Sequence, residues 1–205
     1  MHYIIMHGSF GSPEENWFRW LEKELINAGL SVTLDQYPVE DWDSFTVKGR
    51  DRANSEPCLQ TLSTWEATFV EKTLPKIKAE PTIVIGHSLA PLFMLHMITK
   101  YDLKLKGMIA VSPFFTIPED PKLWQFWAIN KTFYHESFDI DKIKNLIDDL
   151  HVVYGDDDPY VPQSELSRFA MMLDAKMHIV PGGGHCGSIF KEFPLIQEIS
   201  LSMVN

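Results

Sequence analysis

The sequence predicts an α/β fold with three layers, in which a mostly parallel β-sheet lies between helices on both faces. Three observations support this prediction. Short β-branched runs alternate with longer segments whose apolar residues recur at helical spacing. The chain has 205 residues and is 45% hydrophobic, which suffices for one domain with a sizeable core over residues 1–205. No internal repeat, low-complexity tract or linker indicates a domain boundary.

The first 80 residues contain two predicted strands and two predicted helices. Residues 3–6 and 31–34 form the strands, and a helix runs between residues 17 and 29, where a glycine ends it. Residues 36–57 are polar and irregular. Residues 62–77 show helical spacing, and Pro75 interrupts the last turn of that helix.

The rest of the chain continues the alternation. We expect strands at residues 83–85, 107–111, 151–155 and 176–180, and helices at residues 91–98, 139–149, 163–173 and 194–203. The alternation pauses at about residues 114–150, a stretch rich in proline and aromatic residues. A segment of this length between two strands is usually functional, so we interpret it as a small helical cap inserted over the site.

Charge and composition exclude several classes of function. The formal net charge of −10 argues against binding to nucleic acid or to an anionic membrane, because both require a basic surface. Two cysteines, Cys58 and Cys186, make no disulfide framework. The N-terminus carries no signal-peptide pattern, and no run approaches the roughly 18 apolar residues of a membrane span. We therefore expect a protein of the reducing cytoplasm.

The stretch Gly86-His87-Ser88-Leu89-Ala90 is typical of a nucleophile elbow. A strand precedes it, Pro91 opens a helix after it, and small residues flank the serine two positions away on each side, where strand and helix approach closely. Taken alone, this pentapeptide is also compatible with an ordinary strand-to-helix turn. Its context makes Ser88 the candidate nucleophile.

A serine nucleophile needs a base, and that base needs an orienting carboxylate. After an elbow serine, the carboxylate and then the histidine usually follow along the chain. Two polar loops have this order: Asp156-Asp157-Asp158 follows the fifth strand, and Gly183-Gly184-His185 follows the sixth. Because the carboxyl ends of parallel strands share one edge of a sheet, Ser88, one aspartate and His185 should meet there. Alone, the aspartates could form a solvated turn and the histidine an ordinary loop.

Five other histidines are weaker candidates for the base, because each lies within an element, beside the serine, in the cap or out of order: His87, His96, His135, His151 and His178. Cys186 could be read as a thiol nucleophile, but it lacks an elbow. We therefore expect His185 to be the base.

The oxyanion of an acyl-transfer intermediate needs two backbone donors. One is expected to be the N–H of Leu89, directly after the nucleophile. The other should come from the loop after the first strand, with Ser9 preferred and Phe10 second. In the cap, Trp124 and Trp127 are expected to contact substrate, although one of them could instead be buried against the main domain.

Together these features resemble the α/β-hydrolases, and more narrowly the small serine hydrolases related to retinoblastoma-binding serine hydrolase and its bacterial relatives. The resemblance covers nearly the whole chain and rests on His7-Gly8, the Trp-rich first helix, the elbow, the loop Gly155–Pro162 and Gly183-Gly184-His185. It implies Ser88, Asp158 and His185 as the triad, with no cofactor and no metal. Ala90 stands where a second glycine is common.

Among the three aspartates, Asp158 is favoured for two reasons. The following Pro159 biases it towards an extended conformation, and Gly155, Asp158 and Val161 match the family pattern. Asp157 remains the alternative, and Asp156 is expected to be solvated.

We therefore expect a serine hydrolase that acts on a small acyl compound, most simply a carboxylic ester, through an acyl-enzyme. Two alternatives remain open. An amidase or aminopeptidase would use the same residues, and a binding protein could retain the fold without catalysis.

Overall fold

The computed structural model describes residues 1–47, 58–134 and 137–204, and its centre is a six-stranded parallel sheet. The strands are β1 His2–Met6, β2 Ser31–Thr33, β3 Thr82–His87, β4 Gly107–Val111, β5 Leu150–Gly155 and β6 Lys176–Val180. Their order is β2-β1-β3-β4-β5-β6, and every neighbouring pair is parallel. All six predicted strands are present, with ends within two residues of those expected.

Both faces of the sheet are covered. Along β1, Tyr3 and Ile5 belong to one core, whereas Ile4 and Met6 belong to the other, because successive side chains of a strand point to opposite faces. This alternation continues in β3, β4 and β5, which are buried throughout. Near-continuous apolar runs are typical of strands that are buried on two sides.

Helices cover the two faces unequally. On the face of Tyr3 lie α1 Phe18–Asn27 and α9 Pro194–Ser202. The opposite face carries α3 Leu62–Thr68, α4 Leu74–Ala79, α5 Leu89–Tyr101, α7 Ile140–Leu146 and α8 Gln163–Met172. Two shorter helices, α2 Trp42–Val47 and α6 Trp124–Asn130, pack near each other through a small cluster that includes Phe45 and Ala128. The predicted three-layer arrangement is thus confirmed.

The expected single helix over residues 62–77 is in fact three segments. Between α3 and α4, residues Phe69–Thr73 form a π-helical turn, in which the Leu74 N–H donates to the Phe69 carbonyl. Pro75 then lies in the first turn of α4, where its missing N–H removes no helical hydrogen bond. The wider turn is how the chain accommodates a proline within a continuous run of helix.

Three further sequence expectations concern residues 36–57, His135 and the end of the helix predicted at residues 139–149. The stretch expected to be irregular contains α2, and its residues 48–57 lie outside the described part of the chain. His135 also lies outside it. Helix α7 ends at Leu146, earlier than expected, because Ile147 pairs with Leu105 in an isolated parallel bridge. Within the described ranges, no helix is long and apolar enough to cross a membrane.

Candidate active site

Ser88 occupies a strained position between β3 and α5. Its backbone has φ 60° and ψ −107°, values that a non-glycine residue adopts only at a cost of order 1–3 kcal/mol. Its N–H donates to the carbonyl of Val111 on the neighbouring strand over 2.8 Å. A Cβ at Gly86 would lie 3.1 Å from the Cδ of Pro91, so strand and helix meet tightly there. The turn therefore presents the serine hydroxyl at the carboxyl edge of the sheet.

His185 lies between Ser88 and Asp158. Its Nε2 is 2.9 Å from the Ser88 Oγ, and its Nδ1 is 2.7 Å from the Asp158 Oδ2. The Asp158 side chain is fully buried, and that of His185 is 15% exposed. An ionised carboxylate can only accept, so Nδ1 carries the proton and Nε2 is left as the acceptor that faces the serine hydroxyl.

The second oxygen of Asp158 is held by the backbone. Oδ1 accepts from the N–H of Tyr160 over 2.8 Å and from that of Val161 over 3.0 Å. These bonds fix the rotation of the carboxylate, so that Oδ2 faces the histidine. The side chain is consequently locked by the turn that follows it.

The two preceding aspartates bind the same glycine-rich loop at other points. Asp156 Oδ1 accepts from the Gly182 N–H over 2.8 Å, and Asp157 Oδ1 accepts from the Gly184 N–H over 2.6 Å. Both residues are exposed. Asp156 is therefore solvent-facing as expected, but it also has a bonding role that the sequence did not reveal. Three consecutive carboxylates thus hold the loop that carries His185.

Two buried histidines support the site without facing the serine hydroxyl. His87 Nε2 donates to the carbonyl of His185 over 2.9 Å, and burial lowers the pKa of His87 to about 3. His7 donates from Nδ1 to the Gly8 carbonyl and accepts at Nε2 from the Tyr37 N–H, and burial lowers its pKa to about 4. Both rings are neutral at pH 7. The sequence offered no signal for these roles beyond the position of each histidine at the end of a strand.

Three other histidines that the sequence offered as candidates for the base lie elsewhere. His96 Nε2 donates to the Phe133 carbonyl, and His151 and His178 hydrogen-bond to each other beside Asp149. None of these three lines the cavity beside Ser88.

The buried thiol of Cys186 is an unreactive one. The residue is 0% exposed, and burial raises the pKa of its thiol to about 12. A neutral thiol is a poor nucleophile. Its carbonyl accepts from the indole N–H of Trp17 over 2.9 Å, so the residue packs the His185 loop onto the first helix.

The loop after β1 lies directly against the serine. A Cβ at Gly8 would be 2.6 Å from the Ser88 Cβ, so only glycine allows this approach. The Phe10 N–H donates to the Gln60 Oε1 over 3.0 Å. Of the two loop donors expected from the sequence, Ser9 and Phe10, the second is therefore already occupied. Among the hydrogen bonds of the described residues, none has the Ser9 N–H as its donor. Leu89 begins α5 and is buried.

A cavity of about 330 Å³ opens above Ser88 and His185. Its other walls include Ile117, Phe126 and Asn130 from the segment between β4 and β5, together with Tyr160. Trp124 and Trp127 do not line it, which corrects the sequence expectation. Positions 126 and 130 lie one turn apart on α6, whereas Trp124 and Trp127 share another face and pack towards Phe45.

Aromatic rings continue from this cavity into a second one. The Tyr160 ring meets the His185 ring edge-on, with 5.2 Å between the ring centroids. The centroid of Phe126 is 5.1 Å from that of Tyr160, and the centroid of Trp42 is 5.5 Å from that of Phe126. These rings border an adjoining groove of about 490 Å³. Trp42 and Tyr160 remain 41% and 38% exposed, so they offer apolar surface beside the site.

The described side chains include no cluster of three or more histidines, cysteines or carboxylates arranged to hold a metal ion. The chemistry that the arrangement can perform on its own is nucleophilic attack by Ser88, with proton transfer through His185.

Comparisons with known proteins show the family and the fold of this chain. The model of the family described as serine hydrolase matches residues 3–199. YdeN of Bacillus subtilis (strain 168) is 27% identical over 208 residues, which cover 97% of this chain and 93% of that protein. The crystal structure of the ydeN gene product has a TM-score of 0.79 at 25% identity, covering 98% of this chain and 97% of the other.

Two more distant structures show the fold alone. Est1E of Butyrivibrio proteoclasticus, solved with ferulic acid bound, has a TM-score of 0.67 at 19% identity, covering 99% and 89% of the two chains. The meta-cleavage product hydrolase of Pseudomonas fluorescens IP01 has a TM-score of 0.69 at 13% identity, covering 99% and 90%. The expected α/β-hydrolase fold is thereby confirmed.

Proposed function

This chain belongs to the serine hydrolase family, and on that premise we propose that it hydrolyses small carboxylic esters through an acyl-enzyme. Ser88 is the nucleophile, His185 the general base and acid, and Asp158 the orienting carboxylate. The observation that carries the proposal is the continuous hydrogen-bonded path from the Asp158 Oδ2 through His185 to the Ser88 Oγ, at 2.7 and 2.9 Å. Both distances lie within the reach that proton transfer requires.

Acylation follows from these positions. The Ser88 Oγ forms a bond to the ester carbonyl carbon while His185 Nε2 takes the hydroxyl proton. The carbonyl oxygen becomes an oxyanion, which we assign to the N–H groups of Leu89 and Ser9, because Gln60 already occupies the Phe10 N–H. The bond from carbon to the leaving oxygen then breaks, and His185 returns its proton to the departing alcohol.

Deacylation repeats the sequence with water. His185 takes a proton from water, the resulting hydroxyl attacks the acyl carbon, and the bond to the Ser88 Oγ breaks as the serine regains a proton. The product is a carboxylic acid. Throughout, Asp158 stays ionised and stabilises the imidazolium.

For the substrate, we propose an ester with a flat or extended apolar group. Phe126 and Tyr160 line the cavity, and together with Trp42 they border the adjoining groove, so such a group would gain contact area with three rings. The ferulic acid bound to Est1E, an aromatic acid in a protein of the same fold, is compatible with this proposal. We also propose that residues 114–150 act as a cap within a single domain, since Ile117, Phe126 and Asn130 form one cavity wall.

The test uses a fluorophosphonate probe and two chromogenic substrates. We expect one stoichiometric adduct, located on Ser88 by mass spectrometry, and no adduct or turnover in Ser88→Ala at unchanged thermal stability. An adduct on Ser9 or Ser112 would contradict the assignment. Faster turnover of an aminoacyl anilide than of a nitrophenyl ester would identify an amidase instead, and absence of both turnover and adduct would favour a binding protein.

A further inference from the structure

A network of buried amides holds the loop that follows β1. The Phe10 N–H donates to the Gln60 Oε1 over 3.0 Å, and the Gln60 Nε2 donates to the Asn130 Oδ1 over 2.9 Å. The Ser9 Oγ donates to the same Asn130 oxygen over 2.7 Å. Gln60 is 0% exposed and Asn130 is 1% exposed. The loop therefore meets one buried amide from each of two segments that are distant in sequence.

The direction of every bond in this network follows from its first donor. The Phe10 N–H can only donate, so the Gln60 oxygen must face it and the Gln60 amide nitrogen must face Asn130. That nitrogen also only donates, so the Asn130 oxygen faces both Gln60 and Ser9. The Ser9 hydroxyl proton is thereby committed to Asn130. Because each partner has a single workable orientation, the network defines one loop conformation.

The loop conformation needs such support. Phe10 has a φ of 55°, in the left-handed region that non-glycine residues seldom adopt. Gly8, two residues earlier, packs against the Ser88 side chain. A small movement of this turn would therefore displace the Ser9 N–H relative to the reacting carbon.

We propose that Gln60 and Asn130 are positioning residues of the oxyanion hole, which hold the Ser9 N–H in place through Phe10 and the Ser9 side chain. This inference rests on the hydrolase function proposed above. Neither residue donates to the oxyanion itself. The arrangement also joins the cavity wall to the hole, because Asn130 ends α6 one turn after Phe126.

The main test compares Gln60→Leu with Thr132→Val. Thr132 Oγ1 accepts from the Leu62 N–H over 3.0 Å, so it joins the same two segments as Gln60 and Asn130 without touching the loop. In Gln60→Leu we expect kcat for an ester to fall by about 10-fold to 100-fold, somewhat less than removal of one hole donor, with KM changed by less than about 3-fold. Thr132→Val should change neither.

Two readouts separate positioning from general destabilisation. Affinity for a trifluoromethyl ketone, which forms an oxyanion adduct with the serine, should fall in Gln60→Leu by the same factor as kcat. Amide hydrogen exchange of the peptide containing residues 8–11 should accelerate in Gln60→Leu but not in Thr132→Val. If Gln60→Leu does not fold, Ser9→Ala replaces it. Ser9 lies in the cavity wall, and the alanine variant loses only the hydrogen bond from the Ser9 hydroxyl to Asn130 while it keeps the backbone N–H.

The outcomes are distinct. An active wild-type enzyme whose kcat is unchanged in Gln60→Leu, or in the replacement Ser9→Ala, would overturn the inference and leave the proposed function standing. Equal losses in Gln60→Leu and Thr132→Val would also overturn it, since they would indicate a shared structural role. A wild-type protein without turnover or probe adduct would refute the proposed function itself, and with it any role of Gln60 in a reaction.

Discussion

Replacing Asp158 with asparagine should slow turnover sharply by reversing the positions of the proton and the lone pair on the His185 ring. Asparagine can keep its oxygen on the Tyr160 and Val161 N–H groups, as the Asp158 Oδ1 does now. Its amide nitrogen would then occupy the Oδ2 position, 2.7 Å from the His185 Nδ1. Because that nitrogen can only donate, Nδ1 must become the acceptor and Nε2 must carry the proton. The ring could then no longer accept from Ser88.

The expected magnitude is a fall in kcat of about 10⁴-fold, the loss that a reversed histidine tautomer causes in serine protease triads. This corresponds to about 5 kcal/mol of transition-state stabilisation. Backbone geometry should be preserved, so the melting temperature should change little.

The two neighbouring aspartates are matched controls. Asp156 and Asp157 each accept one backbone N–H with Oδ1, and an asparagine oxygen can replace that acceptor. Asp156→Asn and Asp157→Asn should therefore keep kcat within a few-fold of the wild type. The assay is steady-state hydrolysis of a nitrophenyl ester, with folding checked by circular dichroism. A crippling Asp157→Asn, or three equally mild variants, would refute the assignment of Asp158.

Two further predictions concern pH and the cavity wall. Burial lowers the pKa values of His7 and His87 to about 4 and about 3. Between these values and the unfolded value of about 6.5, the unfolded state binds more protons than the folded state. The free energy of unfolding should therefore decrease as the pH falls below about 6.5. Urea titrations should show a loss of about 1.6 kcal/mol per histidine between pH 6.5 and pH 5, because an unfolded histidine is half protonated at pH 6.5. A pH-independent free energy of unfolding would contradict this. Separately, Phe126→Ala should raise KM for a naphthyl ester by about 10-fold, which is the equivalent of one lost ring contact. Trp124→Ala should mainly lower the melting temperature. The reverse pattern would make Trp124 the substrate contact.

Sequence patterns predicted the sheet well, because strand positions depend on local composition. β4 and β6 have the expected bounds, since short β-branched runs between turn residues have few alternative conformations. The elbow was equally readable, because a serine in that strained turn demands small residues at fixed offsets. Helix ends were less accurate: α7 ends early because the residue after it, Ile147, pairs with Leu105, a partner that is distant in sequence.

The sequence by itself determined the fold class and the edge of the sheet at which the candidate site lies. Parallel strands bring their carboxyl ends to one edge, so Ser88, His185 and one of the three aspartates were expected to converge there, with Asp158 favoured over Asp157. Only the tertiary structure decided the walls around them. Which face of α6 meets the cavity depends on packing against Phe45. The Phe10 N–H donates to Gln60, which in turn donates to Asn130. Such contacts leave no periodic trace in a sequence, because they depend on where separate segments pack.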